Sequence, residues 1–247
     1  MRLCASKLAT PAAVSSTNAP RATSIITTRT IALWIFMVSV SLPAMDQVPV
    51  LRLGTVTSTQ DVARDLAVGS TVMADYQTGG RGRLERRWVS PAGTALLVSF
   101  VLKPNPVLSL AAGVAAAEAC GPRVRLKWPN DLLFNGRKVG GILVEATPEK
   151  AICGIGVNLT WAPKGAAQLD QPREEVFARL RERIAVWVAA TTDEVLVRWR
   201  QRSATLGRRV RVDISGTTTE GVAQDIGPRG ELIVDGVMFV AGSVTHL

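Results

Sequence analysis

Two glycine-bearing segments that carry fixed positive charges constrain this chain most. The first is Gly79–Arg83 (GGRGR), and the second is Lys127–Asp131 (KWPND) together with the Gly136–Glu145 stretch (GRKVGGILVE) that follows it and carries Lys138. Glycine lets backbone N–H groups turn inward at little steric cost, and arginine supplies forked donors that match phosphate. Predicted strands bracket the first segment. We therefore interpret it as a mobile lid over an anionic ligand rather than as a disordered RNA-binding tail.

The pattern of apolar residues predicts a mixed α/β (α+β) fold. Apolar runs that alternate or are continuous predict strands, and runs at helical spacing behind capping residues predict helices. The predicted strands are Val50–Val56, Thr71–Tyr76, Thr94–Leu102, Asp131–Phe134, Lys138–Ala146 and Ala151–Leu159. The predicted helices run from a Ser58 cap to Val68, over Val107–Cys120, over Arg173–Ala189, and over Thr192–Ser203 behind a Thr191–Glu194 capping box.

Beyond Gly207 the pattern changes to short β-type runs separated by glycine turns, which predicts a small β-barrel. The runs are Val210–Ile214, Gly221–Asp225, Leu232–Val234 and Met238–Ala241. We therefore expect three parts: an N-terminal extension at residues 1–44, the main domain at 45–203, and the barrel at 204–247.

The pair Asn135-Gly136 is a strong signal for a two-residue β-hairpin turn. This turn brings Asp131 to the opposite strand just beyond Lys138, so both side chains could face one pocket, although a register slip would reverse their facing. Such a pair is either a satisfied ion pair or a binder of phosphate and carboxylate. In the alternative interpretation Trp128 is a core residue and Asn130-Asp131 is an ordinary turn, with Asp131 bonded to its own backbone.

The segment Gly154–Asn158 (GIGVN) is a predicted strand in which glycines alternate with apolar residues. Glycine weakens a strand unless another group approaches the backbone closely. The spacing therefore indicates either a ligand that lies against the strand or a β-bulge.

Charge and cysteine content narrow the class of protein. The net charge is +9, which fits an anionic substrate but does not separate nucleotide from nucleic acid. The cysteines Cys4, Cys120 and Cys153 are too few and too widely spaced for a disulfide framework. Because the single histidine is His246, a zinc site or a histidine-based catalytic triad is not expected, and any metal must be a hard cation held by oxygen and phosphate.

Taken together and in this order, the motifs resemble the biotin protein ligase family, in its monofunctional type without a DNA-binding domain. The matching pieces are Ser58-Thr59-Gln60, Gln77 with Gly80–Arg83, Trp88 with Ser90-Pro91 and Gly93, Lys127–Asp131, Arg137-Lys138 with Gly140–Glu145, and Gly156 with Asn158. The resemblance implies a catalytic, biotin- and ATP-binding domain similar to class II aminoacyl-tRNA synthetases at 45–203, followed by an SH3-like β-barrel. It also implies that biotin and MgATP form biotinyl-5′-AMP, from which biotin passes to a lysine of a biotin carboxyl carrier domain of an acyl-CoA carboxylase.

The resemblance also implies roles for individual residues. By position, the biotin and adenylate contacts are Ser58, Thr59, Gln60, Gln77, Arg81, Gly82, Arg83 and Lys138. We expect Arg86, Trp88, Lys127, Asn130, Gly141 and Asn158 in the same site, with Lys138, Arg83 and Asp131 as the catalytic set. Lys138 would bridge the biotin carboxylate and the α-phosphate, and Arg83 and Arg86 would clamp phosphates from the lid. Asn130 and Asp131 would orient Mg²⁺ or the nucleotide without forming a dedicated metal site, and Trp88 would pack against the closed lid or the adenine.

Two residues depart from the family pattern. Glu85 stands where the lid usually has glycine, and Gln60 stands where asparagine is common. If the glycine position has positive φ, Glu85 is strained by about 1 kcal/mol or more. The rival interpretations are a lipoate ligase and a non-enzymatic RNA-binding protein. The second would need exposed aromatic residues near the arginines, and the chain has only one Tyr and five Phe.

The first 44 residues have two interpretations. The uncharged run from Thr30 to Met45 imitates a signal peptide with a small-residue cleavage site but is too short to span a membrane. We favour Met45 as the true start, because the remainder looks cytosolic and an exported enzyme would lack ATP. We thus expect a cytoplasmic monomer or weak homodimer that binds neither nucleic acid nor, through its enzyme core, a membrane. Its basic charge would serve the nucleotide and an acidic carrier domain.

Overall fold

The computed structural model describes residues 49–247, which form two β-sheets and four helices. The predicted run at residues 30–45 and the proposed start at Met45 lie outside the described residues. The strands of the large sheet are β1 Val50–Val56, β2 Thr71–Gln77, β3 Ala95–Leu102, β4 Val124–Lys127, β5 Asp131–Phe134, β6 Arg137–Ala146 and β7 Ala151–Asn158. The helices are α1 Thr59–Ala63, α2 Leu108–Cys120, α3 Arg173–Ala189 and α4 Thr192–Arg202. The small sheet contains β8 Arg209–Ile214, β9 Thr217–Ile226, β10 Leu232–Val234, β11 Val237–Phe239 and β12 Ser243–His246.

The large sheet has the strand order β1-β2-β3-β7-β6-β5-β4, and the small sheet has the order β11-β10-β9-β8-β12. Only the β1–β2 pair is parallel. This mixed α/β architecture with a C-terminal antiparallel sheet confirms the predicted fold class. The boundary predicted at residues 203 and 204 stays a prediction, although the small sheet begins close to it.

The two faces of the large sheet are covered differently. Because side chains alternate along a strand, Val98 and Phe100 of β3 join the main core with α2, α3 and α4, whereas Val101 packs with Ala63 of α1 on the opposite face. Helix α2 is apolar on all sides and almost wholly buried, as a helix between a sheet and other helices must be. The face that carries α1 is left partly open, and the candidate site occupies it.

Helix α1 is shorter than predicted. It ends at Ala63 rather than at Val68, and two turns follow it. The ammonium of Lys150, from the β6–β7 turn, contacts the carbonyl oxygens of Arg64 and Leu66. A tertiary contact therefore satisfies carbonyl groups that a longer helix would have bonded internally. Strands β4 and β12 were not predicted.

The predicted hairpin is confirmed. Asn135 and Gly136 have φ values of 50° and 76°, as the tight turn requires, and the residues that flank them pair with each other. A register shift between Leu132 and Leu133 then places Asp131 opposite Gly141, beyond Lys138. The capping box of α4 is also present as predicted. No helix within residues 49–247 has the length and apolar character to cross a membrane.

Candidate active site

A cavity of about 440 Å³ opens on the α1 face of the large sheet. Every residue that the sequence analysis assigned to the substrate site lines it: Ser58, Thr59, Gln60, Gln77, Arg81, Gly82, Arg83, Arg86, Trp88, Lys127, Asn130, Asp131, Lys138, Gly141 and Asn158. The segment Gly242–Thr245 of the small sheet lines it as well, which was not predicted. The fold thus brings the two cationic segments to one cavity, while the roles of single residues stay predictions.

The floor of the cavity consists of neutral polar side chains that bond to one another. Ser58, Thr59 and Gln60 are buried, and the Ser58 hydroxyl caps α1 by accepting a hydrogen bond from the Gln60 N–H. The Thr59 N–H and hydroxyl both donate to Gln77 Oε1, at 2.7 and 3.0 Å. The floor is therefore ordered by its own hydrogen bonds, which leaves few rotamers open to these side chains.

Ser99 of β3 completes the floor and was missed in the sequence analysis. It is fully buried, and its Oγ lies 2.8 Å from Thr59 Oγ1 and 3.2 Å from Gln60 Oε1. The sequence signal was available, because Ser99 is the only polar residue inside the apolar run of that strand. A buried hydroxyl in such a run needs a partner, and here the partners belong to the substrate site.

The glycines of β7 make room for side chains of the protein itself. A Cβ on Gly156 would lie 2.8 Å from the indole of Trp88, and one on Gly154 would lie 3.1 Å from the Gln60 side chain. The strand pairs regularly with both neighbours, so the β-bulge interpretation is wrong. The close approach that the spacing indicated is made by Trp88 and Gln60.

Trp88 carries an unsatisfied donor. Its indole Nε1 is buried and has no hydrogen-bond partner among residues 49–247. Leaving a buried donor unpaired costs roughly 1–3 kcal/mol. Trp88 also lines the cavity, so its ring forms part of the wall of the candidate site.

The lid is a short irregular hairpin between β2 and β3. The Gly82 N–H donates to the Arg86 carbonyl at 2.7 Å, and the Trp88 N–H donates to the Gly80 carbonyl at 2.9 Å. At its tip, Leu84 and Glu85 have φ values of 54° and 59°. The strain expected at Glu85 is thus confirmed, and a second non-glycine residue shares it.

The two arginines of the lid motif have different electrostatic surroundings. Arg81 donates to Asp61 at 2.7 Å and lies 3.4 Å from a carboxylate oxygen of Glu145, so its charge is neutralised within the protein. Arg83 forms no ion pair within the described part of the chain and makes a long 3.4 Å contact with Asn130 Oδ1. Burial lowers the pKa of Arg83, an effect that Asp131 opposes and Arg86 increases. These surroundings agree with the expectation that Arg83, rather than Arg81, clamps a phosphate, and this role stays a prediction.

Lys138 and Asp131 meet as the hairpin predicted. Lys138 Nζ lies 2.5 Å from Asp131 Oδ1, and the lysine side chain is 43 % exposed. A Cβ on Gly141 would lie 3.5 Å from the same ammonium, which is an ordinary contact distance, so the lysine side chain lies directly over this residue. Because the ion pair is open to the cavity, the ammonium can also reach a bound anion.

The Lys127–Asp131 motif has both a structural and an electrostatic role. Trp128 is a core residue, as the alternative interpretation held, and its indole N–H donates to the Gly230 carbonyl at 2.9 Å. Asn130 Nδ2 donates to the Ile142 carbonyl at 2.7 Å, which fixes the turn above β6. Burial lowers the pKa of Lys127; Asp131 opposes the shift, and the cations Lys138 and Arg86 add to it. The motif therefore anchors the small sheet and places a cation in the cavity.

The small sheet closes one side of the cavity. Arg86 of the lid donates to Ser243 Oγ at 3.3 Å. Thr205 accepts a hydrogen bond from the Trp128 N–H, and its hydroxyl lies 3.2 Å from His246 Nε2. Burial lowers the pKa of His246 to about 4, with further repulsion from Lys127 and Arg208.

Asn158 has a structural contact in addition to its place in the cavity wall. Its amide donates to the Ala167 carbonyl at 3.1 Å and so holds the loop that follows β7. Cys120 and Cys153 are buried free thiols, and burial raises the pKa of each to about 12. Residues 49–247 contain no group of three or more His, Cys, Asp or Glu side chains that could hold a metal ion.

Comparison with known proteins identifies the family. The model of the biotin/lipoate A/B protein ligase family matches residues 53–159. The biotin–[acetyl-CoA-carboxylase] ligase of Mycobacterium tuberculosis is 34% identical over 212 residues, which cover 72% of this chain and 79% of that protein. The ligase of the same name from Paracoccus denitrificans is 34% identical over 211 residues, covering 71% and 88%.

Comparison with solved structures leads to the same family. The structure of the biotin protein ligase from Aquifex aeolicus in complex with biotin and ATP superposes with a TM-score of 0.72 at 27% identity, and the match covers 80% of this chain and 98% of that one. The range matched by the family model contains strands β2–β7 and most of the residues that line the cavity. The chain therefore belongs to the biotin/lipoate A/B protein ligase family.

Proposed function

We propose that this protein is a biotin protein ligase, which activates biotin with ATP to biotinyl-5′-AMP and transfers the biotin to a lysine of a biotin carboxyl carrier domain. One observation carries the proposal: a neutral, internally bonded floor lies beside a rim of cations in a single cavity, and the rim consists of Arg81, Arg83, Arg86, Lys127 and Lys138. Relatives named biotin–[acetyl-CoA-carboxylase] ligase support both the reaction and the acceptor.

The cations of the rim would reduce the electrostatic repulsion that opposes the first half-reaction. The biotin carboxylate and the ATP triphosphate are both anions and repel each other until cations hold them together. Lys138 would bridge the carboxylate and the α-phosphate, and Arg83 would clamp a phosphate from the lid. Holding the reacting atoms roughly 3–3.5 Å apart, in water-poor surroundings, removes several kcal/mol from the barrier.

The floor suits the uncharged ring system of biotin. The amide and hydroxyl groups of Ser58, Thr59, Gln60 and Gln77 are held in place by each other and by Ser99. A polar but uncharged ligand loses little on entering such a site, because the protein groups need not reorganise. Ser99 would act here as a positioning residue that sets the rotamers of Thr59 and Gln60.

Mg²⁺ would be held chiefly by the triphosphate, which it would shield electrostatically. Asp131 and Asn130 offer the hard oxygen atoms nearest to the cations of the rim, and oxygen is the ligand that Mg²⁺ prefers. Asp131 is the better candidate because it is a carboxylate, whereas Asn130 offers one neutral amide oxygen that lies 3.4 Å from the Arg83 guanidinium. We also propose a cytoplasmic location, because ATP is the substrate.

Incorporation of radiolabelled biotin into a carrier domain tests the proposal directly. The assay contains the full chain, ATP, Mg²⁺, labelled biotin and a biotin carboxyl carrier domain, and the expected result is ATP-dependent labelling of the carrier. The matched control is a carrier in which the acceptor lysine is replaced by arginine. Thermal stabilisation by lipoate but not by biotin would instead indicate a lipoate ligase, and absence of labelling together with salt-sensitive RNA binding would favour the RNA-binding alternative.

A further inference from the structure

The lid has a base and a tip, and the two are held differently. The base comprises Thr78–Arg81 and Arg87-Trp88, and the tip is Gly82–Arg86. In the base, the Gly79 N–H donates to the Thr57 carbonyl at 2.8 Å. The two segments of the base also pair with each other through an isolated antiparallel bridge and a further backbone hydrogen bond. The backbone therefore fixes the base to the main domain.

The tip has few contacts with the rest of the protein. Outside the lid, and among residues 49–247, its hydrogen bonds are made by two arginines. Arg83 reaches Asn130 Oδ1 at 3.4 Å, and Arg86 reaches Ser243 Oγ at 3.3 Å. Between these arginines, the Leu84 side chain is 67% exposed. Because segments with few buried contacts open at low cost, the tip is the part of the lid that can move.

Four charged side chains add a second attachment at the base. The Arg81 guanidinium lies 2.7 Å from Asp61 Oδ1 and 3.4 Å from Glu145 Oε1. Arg64, which directly follows α1, lies 3.2 and 2.8 Å from the same two carboxylates. Asp61 belongs to the first turn of α1, and Glu145 belongs to β6. Each carboxylate thus bridges two arginines, and the cluster joins the lid to α1 and to the sheet.

We infer that Asp61 and Glu145 are positioning residues, which hold Arg81 and so fix the base from which the tip carries Arg83 to the phosphates. The role of this cluster rests on the proposed function. Neither carboxylate lines the cavity, so both would act through Arg81 and not on the ligand. A moving segment reaches a defined end position only if its attachment is rigid. Arg81 would then serve the reaction through its ion pairs, whereas the sequence led us to expect a direct contact.

Neutral substitutions of nearly the same size test this role. Asp61→Asn, Glu145→Gln and the double variant remove the charges, and Asp61→Glu keeps the carboxylate. The two side chains are 34% and 33% exposed, so the variants should fold with a melting temperature close to that of wild type. The matched control is Glu174→Gln, which removes the 2.8 Å ion pair with Arg52, between β1 and α3, and does not involve the lid.

The first measurement is amide hydrogen exchange of the ligand-free full chain, resolved by residue with NMR. The Gly79 and Trp88 amides of the base should exchange ~2–5-fold faster in each single neutral variant, as loss of a partly exposed ion pair predicts, and faster still in the double variant. Asp61→Glu and Glu174→Gln should exchange like wild type. Unchanged exchange in the double variant overturns the inference. This measurement needs no biotin, so its outcome is independent of the proposed function.

The second measurement is leakage of biotinyl-AMP, which a purely structural role would not couple to Arg81. Asp61→Asn should accelerate leakage ~2–5-fold in the wild-type background and should add nothing in an Arg81→Ala background. An equal acceleration in both backgrounds overturns the inference, because Asp61 would then act independently of Arg81. Failure of the wild-type chain to form biotinyl-AMP would contradict the proposed function instead, and amide exchange would still decide whether the two carboxylates fix the base.

Discussion

The floor and the rim of the cavity are built in opposite ways. On the floor, Thr59, Gln77 and Ser99 are neutral and bonded to one another without a ligand. On the rim, Arg83 and Lys127 are partly buried cations, burial lowers the pKa of both, and neither forms an ion pair in the described part of the chain. The floor is thus preorganised for an uncharged group, whereas a bound anion would further stabilise Arg83 and Lys127 on the rim. Changes on the rim should therefore affect the chemistry more than changes on the floor do.

The largest effect is expected at Lys138, the residue that we propose to bridge the two reactants. Lys138→Ala should reduce biotin-dependent ATP–pyrophosphate exchange by at least ~10²–10³-fold, because it removes the charge that holds the two anions together. The melting temperature should change little, since the pair with Asp131 is open to solvent. The control is Lys164→Ala, an exposed lysine outside the cavity. Exchange near the wild-type level would remove Lys138 from its assigned role.

Substitutions at the two lid arginines, Arg81 and Arg83, should have different effects on retention of the adenylate. Arg83→Ala should accelerate leakage of biotinyl-AMP by ~10–100-fold, because a charge-assisted hydrogen bond contributes about 1.5–3 kcal/mol. Arg81→Ala should accelerate it less and should lower the melting temperature, since it leaves Asp61 and Glu145 without this partner. Release of labelled adenylate after gel filtration measures the leakage. Equal leakage from both variants would contradict the distinction drawn from their ion pairs.

On the floor, a methyl group at β7 should weaken ligand binding moderately. Gly156→Ala places a Cβ within 2.8 Å of the Trp88 indole, so the ring must move. Overpacking of this kind costs roughly 1–3 kcal/mol, which predicts about tenfold weaker biotin binding by calorimetry. Gly54→Ala is the control, because its Cβ would meet nothing within 4 Å. Unchanged affinity would show that Trp88 can shift without consequence.

The smallest effect is expected in the pH dependence of thermal stability, through His246 of the small sheet. The pKa of His246 lies at about 4, below its ordinary value, so between pH 6.5 and 4 the unfolded chain binds a proton that the folded chain excludes. The stability from this residue is present above about pH 6.5 and is lost as pH falls. Because His246 is only half-buried, we expect wild type to lose roughly 2–4 °C more than His246→Gln between pH 7.5 and 5. Identical losses in two melting curves would exclude the effect.

Much of the fold could be predicted because the signals are local. Helix α3 lies where its periodicity placed it, and the turn at Asn135-Gly136 fixed the pairing of β5 with β6. The end of α1 could not be predicted, because Lys150, from a distant turn, binds carbonyls beyond Ala63. A contact between residues far apart in sequence leaves no local pattern.

The sequence by itself determined which residue types meet in the site. The spacing of the glycines and cations along the chain can be read directly, and the residues that form a turn are neighbours in sequence. Only the tertiary structure decided their electrostatic state. It paired Arg81 with Asp61 and left Arg83 unpaired, although both occupy similar positions in one motif. It also brought Ser243 to the lid, because this contact depends on how the small sheet packs against Trp128. Charge pairing and cavity shape are properties of long-range packing, which residue order along a segment does not encode.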